Sequence, residues 1–257
     1  MPEYTYFKYY KDVNDNSKRA VKSTVQNFKN RIKTNRKFLD GFKFHVVTST
    51  GDLDMKSELT RAAAGSYDDC GGLTVPPVLN KGKKEIIINA GGFYTNRSSS
   101  DISQLILHEI GHQFDYSFGK HDSVLEEKIS KIIFPVPDGS EGDKLYNRWM
   151  KTKDLSDSEE FKSAWKQDVE RLNNGSFLDK VFNKLPFEYT PYDIDISDGV
   201  TDEEVEEADS ARSEIFAQLF SYAMGEDDGN KDVITKKYKN SYRMVQSYIE
   251  KYLGIEL

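Results

Sequence analysis

Residues 105–115, LILHEIGHQFD, place two histidines and a glutamate among the apolar residues Leu105, Ile106, Leu107, Ile110 and Phe114. The apolar positions predict a largely buried helix, and buried polar side chains need partners that replace their lost hydration. His108 and His112 are four residues apart, so on a helix both imidazoles lie on one face and can reach the same ion. This stretch therefore favours folds in which another part of the chain brings a further ligand to that face.

The same stretch contains the HExxH pattern, in which two histidines bind zinc and the glutamate acts as general base. Zinc lowers the pKa of its bound water toward about 7 and polarises a substrate carbonyl. The glutamate then accepts a proton and delivers it to the leaving amine. The alternative is a pair of core histidines satisfied by backbone carbonyls, beside a surface glutamate. We favour zinc binding by His108 and His112, with Glu109 as the catalytic base.

We predict Glu214 as the third zinc ligand, because catalytic zinc usually has three protein ligands and one open position. Glu214 begins a strongly apolar helical run, EIFAQLFSYAM, where a carboxylate is either near solvent or bound to a partner. Ala217 lies on the same helical face as Glu214 and would let this helix approach the HExxH helix. Gly111, beside His112, would allow the same close approach from the other side.

The sequence gives less support to other candidate zinc ligands. The metzincin form is excluded, because Asp115 and Phe118 stand where it needs a glycine and then a histidine or aspartate. His121 falls beyond the expected end of the helix, and His45 lies on an early strand, where a structural role is favoured. Asp115 is either a hydrogen-bond partner behind the site or a surface aspartate. Four further glutamates compete, but they lie in a polar stretch: Glu203, Glu204, Glu206 and Glu207.

The order of the secondary-structure patterns predicts an α+β fold, with strands first and helices afterwards. Strand or extended patterns cover residues 42–49, 71–79 and 84–92, and prolines push the second of these to a sheet edge or loop. Helical patterns cover residues 17–39, 101–118, 122–133, 141–151, 156–173, 176–184, 202–224 and 230–253. We expect one domain over 1–257, with an N-terminal lobe (1–120), a helical insertion (121–200) and C-terminal helices (201–257).

Composition and charge exclude several classes of protein. The net charge of −7 argues against a dedicated nucleic-acid binder, and the apolar stretches are too short to cross a membrane. The N-terminus lacks an apolar signal region, which predicts a cytoplasmic location or export by a non-classical route. The one cysteine, Cys70, rules out an internal disulfide, and its acidic neighbours disfavour a nucleophilic role. We expect a monomer that acts on a protein or peptide.

HEIGHQFD followed by EIFAQLF resembles the catalytic domain of anthrax lethal factor and the related Pro-Pro endopeptidases of clostridia. The resemblance covers roughly residues 42–120 and 205–225, and five residues fall on its motif positions: His108, Glu109, His112, Asp115 and Glu214. It implies a zincin-like fold of gluzincin type, with a small mixed sheet over the HExxH helix and a mostly helical C-terminal part. It also implies an edge strand that aligns the substrate, and EIIIN (85–89) resembles that strand.

Two features depart from this family. Glu207 stands where the family has a tyrosine that supports the oxyanion, seven residues before the third ligand. Tyr189 or Tyr192 would have to take that role, or the role is absent. The link between the motifs is also longer, with 101 residues between His112 and Glu214. Residues 121–200 are therefore interpreted as an insertion that shapes the substrate groove.

The acidic segment DIDISDGVTDEE (193–204) has carboxylates at spacings that partly match a calcium-binding loop. Asp198 occupies the position that needs glycine, so a solvated loop is the favoured interpretation. Taken together, the sequence predicts a zinc endopeptidase. The alternatives are a catalytically weak or inactive binding protein with a zincin fold, and an effector or toxin protease directed at host proteins.

Overall fold

A computed structural model describes the chain at residues 5–49, 71–74, 76–80, 82–91, 97–120, 123–129, 131, 140–142, 144–145, 154–173, 202–227 and 229–257. These residues form a mixed α+β structure with four strands and seven α-helices, which confirms the predicted class. The strands are β1 (Tyr6–Tyr9), β2 (Lys43–Val47), β3 (Gly72–Thr74) and β4 (Glu85–Asn89). The helices are α1 (Asp15–Arg31), α2 (Ser99–Ser117), α3 (Ser123–Ile129), α4 (Glu159–Asn173), α5 (Asp202–Ala223), α6 (Lys231–Lys237) and α7 (Lys239–Leu253).

The four strands form one sheet in the order β1-β2-β4-β3. β1, β2 and β4 run parallel, and β3 pairs antiparallel with β4, with Leu73 opposite Ile87. All five residues of β4 are buried, as expected for a β-branched strand covered on both faces. Because β4 is hydrogen-bonded on both sides, the prediction that EIIIN is the edge strand is wrong. β3 lies at that edge of the described sheet instead.

One strand and two helices near the ends of the chain differ from the sequence predictions. The sequence did not predict β1, whose parallel partner β2 lies far along the chain. The first helix ends at Arg31, well before residue 39, and Asn35 adopts a left-handed conformation with φ 50° that no helix continues through. The predicted last helix is two helices, separated at Tyr238. The predicted apolar faces are nevertheless the buried ones, including Val21 and Val25 on α1 and Ile249 on α7.

The HExxH helix α2 lies at the centre of the main core. It begins with a capping box in which Ser98 and Asp101 satisfy each other's backbone N–H groups. Its C-terminal half packs against α5 through Phe114. The ring centroid of Phe114 lies 5.0 Å from that of Phe220 and 6.3 Å from that of Phe216. This packing holds the C-terminal half of α5 against α2.

Several sequence predictions concern residues outside the described part of the chain. These are Cys70, His121, Tyr189, Tyr192, the helix at 176–184 and most of the acidic segment, 193–201. The side chains of Glu203, Glu204, Glu206 and Glu207 also lie outside it. Among the described helices, none combines the length and the hydrophobicity needed to cross a bilayer.

Candidate metal centre

His108, His112 and Glu214 meet in space although Glu214 is distant in sequence. The two histidines project from one face of α2, and their Nε2 atoms are 3.1 Å apart. Glu214 reaches them from α5, with Oε2 at 3.2 Å from His108 Nε2 and Oε1 at 3.4 Å from His112 Nε2. Each residue offers one ligand atom, and these atoms lie within 4.8 Å of one another. Within the described ranges, this is the one group of three such residues that could hold a metal ion.

The electrostatics of this cluster favour a positive charge at its centre. Burial would raise the pKa of Glu214, but hydrogen bonds and positive charge from His108 and His112 hold that pKa well below its usual range. If both histidines are neutral with unprotonated Nε2 atoms, two nitrogen lone pairs and a carboxylate face each other. Such an arrangement is repulsive unless a cation or shared protons lie between the three groups. The side chains remain partly open, with Glu214 at 40% exposure.

Two small residues allow α2 and α5 to approach each other closely. A Cβ atom at Gly111 would lie 2.9 Å from Ala217 Cα and 3.0 Å from Ala217 O. Ala217 is fully buried at this crossing. The expectation that Gly111 and Ala217 permit close approach of the two helices is confirmed. The same contact brings Glu214, less than one turn from Ala217, within reach of the histidines.

We expect Gly111→Ala to destabilise the protein and to weaken metal binding. The added methyl group meets backbone atoms, which cannot rotate away, and overpacking of this kind costs about 1–3 kcal/mol. The gain in helix propensity of about 1 kcal/mol offsets only part of that cost. Thermal unfolding should give a Tm lower by several degrees, while Ser117→Ala at the exposed end of the same helix should not lower it. An equal or higher Tm for Gly111→Ala would contradict this packing.

Glu109 lies on a different side of α2 from the histidines and faces β3. It is 5% exposed, so the alternative of a surface glutamate is wrong. A Cβ atom at Gly72 would lie 2.6 Å from Glu109 Oε1, which shows how closely β3 passes over this carboxyl group. Burial raises the pKa of Glu109 to about 7, with the positive charge of His108 opposing the rise and the negative charge of Glu214 adding to it.

A second contact holds β3 to α2 one turn further along the helix. Gln113 Nε2 donates a hydrogen bond of 2.5 Å to Thr74 Oγ1, and Thr74 Oγ1 donates in turn to the carbonyl oxygen of Glu85. Sequence reasoning did not assign a role to Gly72, Thr74 or Gln113. The role of Gly72 could have been predicted from the pair of glycines at the start of this extended segment, because such glycines often mark a close approach of the backbone.

Asp115 is a buried hydrogen-bond partner behind the histidines, at 1% exposure, so the alternative of a surface aspartate is wrong. Its Oδ1 accepts a hydrogen bond of 2.7 Å from the backbone N–H of Ser156. Its Oδ2 accepts one of 3.3 Å from Ser213 Oγ, and Ser213 Oγ lies 3.3 Å from His112 Nδ1. Burial raises the pKa of Asp115 to about 6, against the opposing effect of the Ser156 hydrogen bonds.

A short 3-10 turn, Leu155–Asp157, contacts both ligand-bearing helices. Ser156 holds Asp115 on α2, as described above, and Asp157 Oδ1 accepts a hydrogen bond of 2.8 Å from Arg212 Nη2 on α5. Arg212 is buried at this contact and lies two residues before Glu214. This part of the segment predicted as an insertion therefore braces the two helices that carry the cluster.

His45 belongs to a separate buried network. Its Nε2 lies 3.2 Å from Glu85 Oε1, and its Nδ1 lies 3.0 Å from the Tyr10 hydroxyl. Its strand neighbours Phe44 and Val46 point into the main core together with α2, so His45, between them, faces the other side of the sheet. These contacts support the structural role predicted for it.

The chain matches no protein-family model, and a search of curated proteins finds no matching sequence. Two imidazoles and a carboxylate present three metal-ligating atoms from two helices. A buried carboxyl group with a pKa near neutrality lies beside them. Together these groups can bind a cation and exchange a proton at one place.

Proposed function

We propose that this protein is a zinc-dependent endopeptidase in which His108, His112 and Glu214 hold zinc and Glu109 is the general base. The observation that carries the proposal is the convergence of these three ligand atoms within 4.8 Å of one another, next to the buried Glu109. A zincin-like fold of the type found in lethal factor and the Pro-Pro endopeptidases is part of the same proposal. A small mixed sheet packed on the HExxH helix supports it.

The distances between the three groups agree with zinc binding. The two histidine Nε2 atoms are 3.1 Å apart, and each has a Glu214 carboxylate oxygen within 3.4 Å, Oε2 for His108 and Oε1 for His112. Imidazole nitrogen and carboxylate oxygen are ligands that zinc binds in proteins. Calcium and magnesium prefer oxygen ligands, so the two imidazoles disfavour both. Iron(II) uses the same two-histidine, one-carboxylate set, and the buried glutamate directly after His108 is what favours a hydrolytic zinc site.

Bound zinc would supply a water molecule of lowered pKa and would polarise the substrate carbonyl. The residues of the chain have separate tasks in this chemistry. Glu109 would accept a proton at its carboxylate and pass it to the leaving amine, the task of a general base. Gly72 and the contact between Gln113 and Thr74 hold β3 over Glu109, which restricts bulk water on that side.

β3 is the proposed docking strand for the substrate. It is the strand of the described sheet that passes directly over Glu109. Extended peptides are commonly bound along a strand of the protein that recognises them. The substrate backbone would then lie along β3, with the scissile bond near Glu109 and the three ligands.

The second candidate function is a zinc-binding protein of the same fold without turnover. Glu207 favours it, because this residue stands where the resembling family has an oxyanion-supporting tyrosine. The two candidates differ in a single observable, since a binder keeps zinc but forms no cleavage products. They share the metal site and the role of His108, His112 and Glu214.

Metal analysis combined with digestion of a peptide library tests the proposal. We expect one zinc per chain, cleavage products that disappear with a chelator, and recovery of cleavage when zinc is restored. Zinc at full occupancy without cleavage in any peptide would support the binding protein instead. Purified protein that neither contains nor takes up zinc would refute both, and stoichiometric iron would point to oxidative chemistry.

A further inference from the structure

Ser213 joins a metal-ligand candidate to a buried carboxylate. Its hydroxyl lies 3.3 Å from His112 Nδ1 and 3.3 Å from Asp115 Oδ2. Asp115 therefore reaches His112 through a residue of α5, although both belong to α2. Ser213 also directly precedes Glu214 in the sequence. One short segment of α5 thus supplies the ligand candidate Glu214 and a hydrogen-bond partner for a second ligand candidate, His112.

The chemistry of the three groups allows one consistent direction for these hydrogen bonds. His112 turns Nε2 toward Glu214 and His108, and an atom that ligates a metal must carry a lone pair there. The ring proton must then sit on Nδ1, which donates to Ser213 Oγ. The serine hydroxyl has one proton to give, and Asp115, when ionised, only accepts. The chain of donors is therefore His112 Nδ1–H to Ser213 Oγ–H to Asp115 Oδ2.

Asp115, at the end of this series of hydrogen bonds, is held in a fixed position. Asp115 is 1% exposed, and its other oxygen accepts the 2.7 Å hydrogen bond from the Ser156 backbone. A buried carboxylate fixed in this way orients the serine hydroxyl, and the hydroxyl orients the imidazole ring. Hydrogen bonds to the nitrogen opposite the metal set the tautomer of a ligand histidine and raise its basicity.

We propose that Ser213 is a positioning residue that fixes the Nδ1–H tautomer and the ring orientation of His112 and transmits to it the negative charge of Asp115. The proposal rests on the proposed function for the metal that requires a lone pair on His112 Nε2, whereas the contacts of Ser213 with His112 and Asp115 are present without metal. A serine that only joined α2 to α5 would affect the stability of the protein without affecting the tautomer of His112. The two roles are therefore separable by experiment.

The first test measures zinc affinity by competition with a chromophoric chelator. Ser213→Ala should weaken binding about 10–100-fold, the usual effect of losing such a partner, and Ser213→Thr, which keeps the hydroxyl, should restore most of it. The matched control is Ser221→Ala on the same helix, where the buried hydroxyl donates to Gln218 O within the helix. Equal zinc affinity in wild type and Ser213→Ala would overturn the proposal.

The second test uses metal-free protein carrying Glu214→Ala, because Glu214 Oε1 lies 3.4 Å from His112 Nε2 and would otherwise accept a proton from it. Long-range ¹⁵N–¹H NMR of the four histidines in the chain reports the tautomer of His112. Neutral imidazole in water favours the Nε2–H tautomer, so a dominant Nδ1–H signal for His112 is diagnostic. We expect that signal with Glu214→Ala alone and together with Ser221→Ala, and its loss together with Ser213→Ala. An Nε2–H tautomer with Glu214→Ala alone would refute the proposal. If wild type binds no zinc, the proposed function fails, and this spectrum still decides the role of Ser213.

Discussion

Replacing Glu109 with glutamine should reduce kcat for peptide cleavage by about 10²–10⁴-fold, the usual contribution of a general base. Glutamine has nearly the same shape but cannot accept the proton. Glu109 faces β3 and contacts Gly72, whereas the three ligand candidates converge on the side of α2 that faces α5. Zinc should therefore remain bound at full occupancy in Glu109→Gln, which separates the loss of the base from the loss of the metal.

The matched control for this variant is Glu127→Gln on α3, at a side chain that is 71% exposed. It makes the same chemical change outside the cluster and should leave kcat unchanged. The thermal stability of Glu109→Gln should equal or exceed that of wild type, because a neutral amide replaces a carboxyl group that is costly to bury in its charged form. Cleavage by Glu109→Gln at the wild-type rate would exclude Glu109 as the base.

Replacing Glu214 with alanine should weaken zinc binding more than about 100-fold, since even partners behind the ligands contribute 10–100-fold. The variant leaves two imidazole nitrogens 3.1 Å apart with no anionic ligand to balance the charge of the metal. Isothermal titration calorimetry or chelator competition measures the loss. Peptide cleavage should fall with zinc occupancy and should recover in part at high zinc concentration.

Gln218→Ala, about one turn further along α5 and only partly buried, is the control for Glu214→Ala. Both variants should unfold near the wild-type temperature without metal, because Glu214 is 40% exposed. Zinc at a hundred times its Kd should stabilise wild type and Gln218→Ala by about 2.7 kcal/mol. The same zinc concentration should stabilise Glu214→Ala by much less. An equal thermal shift in all three proteins would place the zinc elsewhere.

The order of strands and helices, and the buried faces of α1 and α7, could be predicted because they depend on local periodicity. The position of β4 in the sheet could not be predicted, because strand pairing depends on segments that are far apart in the sequence. EIIIN has the composition of a strand buried on both sides, and its central place in the sheet agrees with that composition better than the edge role implied by the resemblance. β1 was missed because its pairing with β2 involves residues far apart in the chain.

The environment of Glu109 and Asp115 also depends on distant segments. The sequence leaves both as either surface or buried carboxylates, and only packing decides between the two. β3 covers Glu109 through Gly72, and the 3-10 turn supplies the Ser156 N–H to Asp115. Ser213 had no signal in the sequence beyond its place before Glu214, because a serine at that position is also an ordinary helix residue.

The sequence by itself determines that His108 and His112 share one face of a helix, because their spacing matches the helical period. It also determines that Gly111 and Ala217 leave room for a neighbouring helix. Only the tertiary structure brings the Glu214 carboxylate to 3.2 Å from His108 and inserts Ser213 between His112 and Asp115. The reason is that a ligand separation of a few ångströms depends on how α2 and α5 pack and on the turn that braces them, and no local pattern encodes that packing.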